Sequence, residues 1–484
     1  MIRKSLLLAS VMALSLSGAA AAQTPSAEPE VEPLAVACLG EGGEAIEARL
    51  AACTEIADTF ETPADRAWGL QMRAGIQNDM GLPDRALADA SKALRLDPSS
   101  AFGYFTRADI LADSGDYKLA LADIERAVKL DSKEALFVGL RAKLREETGD
   151  RAGALADYSR AIELNPATWV YLVSRAHVRE AGRDRAGALA DLDQAVKISK
   201  NDLSPQVIRA DFLLYAGRYD EAKAGYDQVL AKQPDHVQAI TGLARLYQEQ
   251  GDYAAAKGEL DRAIAARSDD ADAFLTRAWV RYRLGDAVGA RSDMDRAVEL
   301  DAQDALIDRA RLFSDLKQYD LALADIARAE AATPKSAMPA VVRAGVFAQQ
   351  QDWGRAIAEA DRAMKLAPDD VFALNAACWI RGEAKRDLDR ALSFCTKALA
   401  VASDDYVPLD SRAFIHLRRG DLPKALADAE AALALRPNAA ETLYLRGAIK
   451  QQLGQHPEAE ADLALARKLN PRIEEQYAGY GLLL

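Results

Sequence analysis

Apolar and small residues recur at three- and four-residue spacing through most of the chain after residue 66. That spacing places them on one side of an α-helix, so the pattern predicts a long series of amphipathic helices. The helices come in pairs, because a break that carries glycine divides eight of the segments. Glycine suits the left-handed residue that ends a helix. The aspartate that often follows can cap the next helix, as we expect for Asp116, Asp150, Asp252, Asp286 and Asp421.

The helix pairs repeat every 34 residues in twelve copies, and a small residue in the first helix marks each copy. An alanine follows twelve residues later in eleven copies, with Ala391 displaced by one. Two copies differ in length: the step from Ala278 to Ala310 is 32 residues, and the copy that holds two cysteines is one residue longer. We therefore expect local irregularities near residues 301–306 and 385–390. The marking residues are Ala74, Ala108, Ala142, Ala176, Ala210, Ala244, Ala278, Ala310, Ala344, Cys378, Ala413 and Gly447.

The repeat resembles that of the tetratricopeptide repeat family over roughly residues 67–473. One copy, "GYFTRADILADSGDYKLALADIERAVKLD" from Gly103, shows both the small residues and the glycine break. The resemblance implies an all-α fold, an α-α superhelix of about twelve helix-turn-helix repeats. Most copies depart from the family pattern, because they lack the aromatic residue that is often found early in the first helix.

The N-terminus predicts an export signal, since Arg3 and Lys4 precede an apolar run that ends in small residues near Ala22. The run is short for a bilayer span, which disfavours an uncleaved anchor. A Pro- and Glu-rich stretch then predicts a flexible spacer. No later run is long enough to span a membrane, so we expect no membrane insertion after cleavage. The predicted segments are a signal peptide (1–22), a spacer (23–37), a half-repeat cap (38–66), the repeat array (67–473) and a C-terminal cap (474–484).

An acidic residue lies three residues after the second-helix alanine in ten copies. Because these two positions share a helix face, the acid points towards a first helix, which carries an arginine just before its marking residue. The pattern predicts a partly buried ladder of arginine–carboxylate pairs. Anion binding by the arginines is the alternative, and it is disfavoured because nearly every arginine has an acid to neutralise it. Pairing within a copy and pairing between neighbours both fit the sequence.

Two pairs of cysteines are expected to form structural disulfides. Cys378 takes the small-residue position of its first helix, and Cys395 lies four residues after Ala391 on the facing helix. Closely packed helices can supply the Cα separation of about 4.4–6.8 Å that a disulfide needs. Cys38 and Cys53 predict a second local disulfide. A metal or redox site is disfavoured, because the chain has no C-x-x-C motif and no histidine between the first two cysteines named.

The formal net charge of −13 argues against nucleic-acid binding, since phosphates would be repelled. An exported chain with an even number of cysteines suits an oxidising compartment, and we predict a periplasmic location. The common nucleotide-binding, zinc-hydrolase and serine-hydrolase motifs do not occur. The sequence therefore predicts a protein that is not an enzyme and that holds neither a cofactor nor a metal.

The resemblance implies protein binding, because the first helices of the family line a concave groove that takes up peptide segments. We predict a scaffold or adaptor that binds one or more proteins of the bacterial cell envelope; the alternative is a regulatory or accessory subunit of a periplasmic enzyme complex. The family's clamp for a partner's C-terminal carboxylate is not reproduced, since Gln71, Gly75 and Asp79 stand at its positions. Packing between first helices is the alternative role for every candidate groove residue. The candidates are Phe102, Phe105, Asp109, Trp279, Arg283, Phe372, Asn375, Trp379, Phe414 and Tyr444.

Overall fold

The computed structural model describes residues 31–300, 305–402 and 405–482, and every regular element in these ranges is an α-helix. The chain divides into two compact units, of which the first ends at Arg209 and the second begins at Ala210. The first unit contains α1 (Val31–Leu39), α2 (Ile46–Thr59), α3 (Pro63–Asp79), α4 (Pro83–Leu96), α5 (Ala101–Asp113), α6 (Tyr117–Leu130), α7 (Ala135–Glu147), α8 (Arg151–Leu164), α9 (Trp169–Ala181), α10 (Arg185–Ile198) and the start of α11 (Ser204–Tyr215).

The second unit continues α11 and holds all the later helices. None of the helices within the described ranges combines the length and the apolar character needed to cross a bilayer. The helices are α12 (Tyr219–Lys232), α13 (Val237–Glu249), α14 (Tyr253–Ala266), α15 (Ala271–Arg283), α16 (Ala287–Glu299), α17 (Ala305–Asp315), α18 (Tyr319–Ala332), α19 (Met338–Gln349), α20 (Trp353–Leu366), α21 (Val371–Ala384), α22 (Leu388–Val401), α23 (Tyr406–Arg418), α24 (Leu422–Leu435), α25 (Ala440–Gln452), α26 (His456–Leu469) and α27 (Ile473–Gly479).

The N-terminal segments differ in part from the sequence prediction. Residues 31–37 belong to α1, although the sequence predicts a flexible spacer there. The helix is held because Ala35 and Cys38 join a buried apolar cluster with Trp68 of α3. The predicted signal peptide, residues 1–22, lies outside the described residues, as does the first part of the spacer.

The turn inside each helix pair closes largely as predicted. Glycine adopts a positive φ in eight of these turns. The side chains of Asp150, Asp252, Asp286 and Asp421 each accept a hydrogen bond from a backbone N–H in the first turn of the next helix, which confirms them as caps. Asp116 precedes α6 in the same way, but its side chain accepts no capping bond from the described chain, so that prediction is wrong.

Small residues allow the helices of each pair to approach closely. The second-helix alanine is at most 1% exposed in every copy, and small side chains at helix crossings permit short interaxial distances. Gly139 serves the same purpose between neighbouring first helices, because a Cβ there would lie 2.5 Å from Cε1 of Tyr171. Each pair still has apolar faces that only the next pair covers, so stacking of copies builds the core of each unit.

The arginine–carboxylate ladder forms within copies. In the third copy, Nε and Nη2 of Arg141 donate to the two carboxylate oxygens of Asp157 at 2.8 and 2.6 Å. Some rungs also reach the preceding copy, since Arg277 donates to Asp261 at 2.8 Å. The same two-bond geometry holds in the pairs Arg73–Asp89, Arg107–Asp123, Arg175–Asp191, Arg277–Asp293, Arg309–Asp325, Arg412–Asp428 and Arg446–Asp462.

Both predicted cysteine pairs lie at bonding distance. The Cα atoms of Cys378 and Cys395 are 5.5 Å apart, and those of Cys38 and Cys53 are 4.9 Å apart. These separations lie inside the usual disulfide range. All four sulfur atoms are buried among apolar residues. Formation of the two disulfides stays a prediction.

The tenth copy replaces its missing rung with a buried arginine. Ala377 and Phe394 stand where other copies have the arginine and the acid. One turn later, the fully buried Arg381 donates through Nη2 to both carboxylate oxygens of Asp361, at 2.7 and 2.9 Å. Its guanidinium also lies 5.2 Å from the centre of the Phe394 ring. The tenth copy thus keeps an arginine–carboxylate pair, Arg381 with Asp361, although neither residue occupies the usual ladder position.

The predicted irregularity at residues 385–390 is confirmed. Lys385 and Asp387 have φ values of 52° and 47°, so the turn between α21 and α22 contains two left-handed residues that are not glycine. The extra residue of this copy is accommodated in that turn. Residues 301–304, within the other predicted irregularity, lie outside the described ranges.

Candidate peptide-binding groove

The ten predicted groove residues lie in different settings. Phe102 and Phe105 of α5 are only 3% and 2% exposed. The Phe105 ring lies 5.4 Å from that of Phe137 in the next first helix, so these side chains pack between first helices, which is the alternative role. Phe372 is 50% exposed, and Asn375 is half-buried on the same helix, α21.

Asp109 lies among other charged groups of the first unit. Its pKa is raised to about 7, mainly by burial and also by the neighbouring Asp113 and Asp79, while Lys143 opposes the shift. Within the described ranges, no group of three or more histidine, cysteine, aspartate or glutamate side chains is placed to hold a metal ion.

Three predicted aromatic residues come together on consecutive first helices of the second unit, α21, α23 and α25. The spacing explains part of this, because residues four apart share a helix face: Trp379 with Glu383 on α21, and Phe414 with Arg418 on α23. The rings of Trp379 and Phe414 stack with centroids 4.5 Å apart, and Nε1 of Trp379 donates to Glu383. We call the surface made by these four residues and Tyr444 of α25 the docking face.

The docking face is covered by residues 472–482, which comprise α27 and the turn after it. We call them the C-terminal segment. The ring of Tyr477, which is fully buried, lies 4.6 Å from that of Tyr444. The ring of Tyr480 lies edge-on to Trp379 at 5.3 Å. The burial of Tyr444 therefore involves this segment as well as the neighbouring helices.

Buried carboxyl groups line the contact between α21, α23 and the C-terminal segment. Burial raises the pKa of Glu383 to about 7, although the Trp379 hydrogen bond and Arg418 oppose the shift. Burial likewise raises the pKa of Asp410, one turn before Phe414, to about 7. Burial also lowers the pKa of Arg418, with Glu383 opposing that shift. Both carboxyl groups therefore gain or lose their proton near neutral pH, well above the pH at which exposed carboxyl groups do so.

Segments of the second unit that are 187 to 219 residues apart in sequence also meet. Asn438, just before α25, donates to the hydroxyl of Tyr219 and to the carbonyl of Glu249, both at 3.0 Å. Arg436 donates to the Glu249 carboxylate at 2.6 Å. The hydroxyl of Tyr253 donates to a backbone carbonyl at the end of α26 at 2.5 Å. We call these bonds the closing contacts, because they join early and late copies of this unit.

Trp279 and Arg283 line a cavity of about 250 Å³ beside the closing contacts. Both come from α15, and Tyr406, Arg436 and Glu441 form part of the opposite wall. Arg283 and Glu441 face each other across it at 3.8 Å. Aromatic rings with charged groups of both signs suit a polar segment, such as a peptide with its backbone amides, better than an apolar chain.

Sequence reasoning missed several members of these sites. Arg418 could have been found from its four-residue spacing to Phe414, and Glu383 from the same spacing to Trp379. Tyr477 in the last helix and Tyr480 just after it, three residues apart, carry a similar signal. Arg436 leaves no such signal, because its partners come from copies that lie far away in the sequence.

Stacked helix pairs throughout the described chain define an all-α repeat protein of the solenoid class. Family models of the tetratricopeptide repeat match residues 79–135, 213–280, 307–371 and 412–472, more than half of the chain. The chain belongs to the tetratricopeptide repeat family, as the sequence resemblance implied.

Solved structures give distant matches. A tetratricopeptide repeat protein from Parabacteroides merdae matches with 19% identity and a TM-score of 0.42, covering 53% of this chain and 98% of its own. Yeast Tom70 matches with 16% identity and a TM-score of 0.42, covering 86% of this chain and 94% of its own. The Cut9–Hcn1 hetero-tetramer of the APC/C matches with 13% identity and a TM-score of 0.35, covering 91% and 99%. A search of curated protein sequences gave no match.

Proposed function

We propose that this protein is a scaffold or adaptor of the bacterial cell envelope, which binds a segment of a partner protein along first helices of its second unit. Tetratricopeptide repeat solenoids generally mediate protein–protein interactions. The observation that carries the proposal is the grouping of aromatic and arginine side chains from separate copies, with Trp379 and Arg418 on the docking face and Trp279 and Arg283 at the cavity. Tryptophan, tyrosine and arginine are the residues that most often anchor a protein interface.

An envelope location is supported by sequence and chemistry together. The N-terminal run has the layout of an export signal. Both cysteine pairs are placed for disulfides, which persist in oxidising compartments and are rare in the cytosol. Binding rather than catalysis is the activity that we assign to the protein.

The test is capture of partners from an envelope extract by tagged, exported protein. Trp279→Ala and Arg283→Ala should each lose a partner that the parent protein retains, because they remove anchors from the cavity wall. Val288→Ala is the matched control, since that side chain is 84% exposed on α16 and lies outside both sites. Circular dichroism must show that all three variants keep their helix content.

A partner retained equally by all variants would contradict the proposed site. Recovery of several assembly proteins would support a scaffold. Recovery of one enzyme, whose rate changes when the purified chain is added, would favour a regulatory or accessory subunit instead.

A further inference from the structure

The C-terminal segment reaches well beyond the last repeat. A terminal cap needs only to cover α25 and α26, the two helices of the twelfth copy. This segment instead continues to α23 and α21, where Tyr480 meets Trp379 and where Arg418 donates to the backbone carbonyls of Tyr480 and Gly481. It also contacts an early copy of the same unit, because the Arg472 guanidinium lies 4.5 Å from the ring centre of Tyr282 in α15.

The segment is held as a bound peptide would be held. Two aromatic rings insert, and the Tyr477 hydroxyl donates to the backbone carbonyl of Glu441 at 2.9 Å. Arg418 binds main-chain carbonyls beyond the end of α27, at 3.3 Å for Gly481. Bonds to the backbone do not depend on side-chain identity, so the aromatic pair carries most of the selectivity. Tyr477 lies in the last turn of α27 and Tyr480 directly follows that helix with helical φ and ψ, so the two rings, three residues apart, face the same side.

The helix itself depends on this contact. α27 has seven residues, and isolated helices shorter than about 12–15 residues are marginal in water. Its order therefore comes from docking. A segment of this kind can leave its site without the loss of a repeat, because the helix pairs of the array are stabilised by their own neighbours.

We propose that the C-terminal segment is an intramolecular ligand of the docking face, and that the partner recognised there displaces it with a short helix that presents two aromatic side chains three residues apart. This rests on the proposed function, since it names the partner class for the same surface. A tethered ligand acts at an effective concentration that reaches the millimolar range for short flexible linkers. The apparent affinity for a competing segment therefore equals its intrinsic affinity multiplied by the fraction of molecules whose docking face is open.

The test measures binding of a fluorescein-labelled peptide of residues 471–482 to the full chain by fluorescence anisotropy. The variant Tyr477→Ala/Tyr480→Ala should bind this probe about tenfold or more tightly than the parent chain, because its own segment no longer holds the face. Addition of Arg418→Ala to that variant should weaken binding again. Tyr215→Ala is the matched control, an exposed tyrosine at the end of α11 outside the docking face, and should bind as the parent does.

Equal probe binding by the parent and the released variant, or none by either while helix content is native, would overturn the proposal. Tyr480→Ala alone provides a second variant should the double substitution disturb folding, because Tyr480 is only half-buried. It should show a smaller gain in the same direction, and its failure to do so would also count against the proposal. Capture from envelope extract by the same proteins separates the two claims. If the probe binds but no partner is captured, the intramolecular-ligand proposal stands and the proposed function fails. If a partner is captured and neither the segment variants nor excess probe changes its capture, the proposed function stands and the intramolecular-ligand proposal fails.

Discussion

Removal of one carboxylate from the ladder should open a single repeat. Asp157 is the most informative choice, because three N–H groups donate to it: Nε and Nη2 of Arg141 at 2.8 and 2.6 Å, and Nη1 of Arg145 at 2.7 Å. Its side chain is 7% exposed, and those of the two arginines are 21% and 24% exposed. Asp157→Ala would leave two partly buried guanidinium groups without their shared counterion.

The structure sets the expected magnitude. Breaking a fully buried ion pair costs about 3–5 kcal/mol, and a hydrogen bond to a charged group contributes about 1.5–3 kcal/mol. Water can reach about a fifth of each arginine here, so we expect the free energy of local opening to fall by about 2–3 kcal/mol. At about 1.36 kcal/mol per tenfold change, amides of α7 and α8 should exchange about 30- to 150-fold faster.

Amide hydrogen exchange read by mass spectrometry resolves this repeat by repeat. Asp193→Ala is the matched control, because that carboxylate also pairs with an arginine sixteen residues away, Arg209, but is 43% exposed and accepts a single bond. Its effect should stay below about sixfold, as for other exposed pairs. Equal effects of the two substitutions, or acceleration spread evenly through the first unit, would refute the argument that buried rungs stabilise individual repeats.

Three further predictions concern the second unit. Burial raises the pKa of Asp410 from 3.8 to about 7, so the folded chain holds this proton more tightly than the unfolded chain does. The resulting stabilisation is complete below the unfolded pKa and is lost as the pH rises through 7. The free energy of unfolding in urea should therefore fall from about pH 4 to about pH 8, and should fall less steeply in Asp410→Asn. The predicted disulfide joins Cys378 and Cys395, which are 17 residues apart, and its reduction should lower the free energy of unfolding by about 3 kcal/mol with helix content retained. Free thiols in freshly exported protein would contradict the pairing. Gly251→Ala should lower the melting temperature more than Gly285→Ala, although both positions have a positive φ. A Cβ at Gly251 would lie 2.8 Å from the backbone carbonyl oxygen of Lys468 in α26, whereas a Cβ at Gly285 would meet nothing in the described chain within 4 Å beyond its own sequence neighbours.

The repeat itself could be predicted from the sequence because its signals are local. The positions of Cys378 and Cys395 in the frame of their copy were enough to place them on touching helix faces. The sequence predicted that arginines and acids pair, but not which arginine each acid pairs with. Each acid lies between two arginines along the chain, so it could pair with the arginine of its own copy or with that of the next copy. The structure chooses the arginine of the same copy, as in Arg141–Asp157, and adds bonds between copies only at some rungs, such as Arg277–Asp261.

The docking face and the closing contacts could not be predicted in this way. Small rotations between successive copies accumulate along a solenoid, and the total rotation cannot be inferred from any single residue or local motif. Contacts such as Asn438 with Tyr219 join positions 219 residues apart and follow only from that sum. The sequence indicated a helical C-terminal cap but did not indicate which helices it contacts. For the same reason Trp379 was expected in an open groove, whereas Tyr480 lies against it.

The central claim is that first helices of the second unit bind a protein segment where the C-terminal segment now lies. The most direct measurement is amide hydrogen exchange of the full chain, alone and saturated with the captured partner. We predict slower exchange in α21, α23 and α25 of the complex and faster exchange in residues 473–479, as the partner replaces the intramolecular ligand. Protection confined to second helices such as α22 and α24, with residues 473–479 unchanged, would contradict the account.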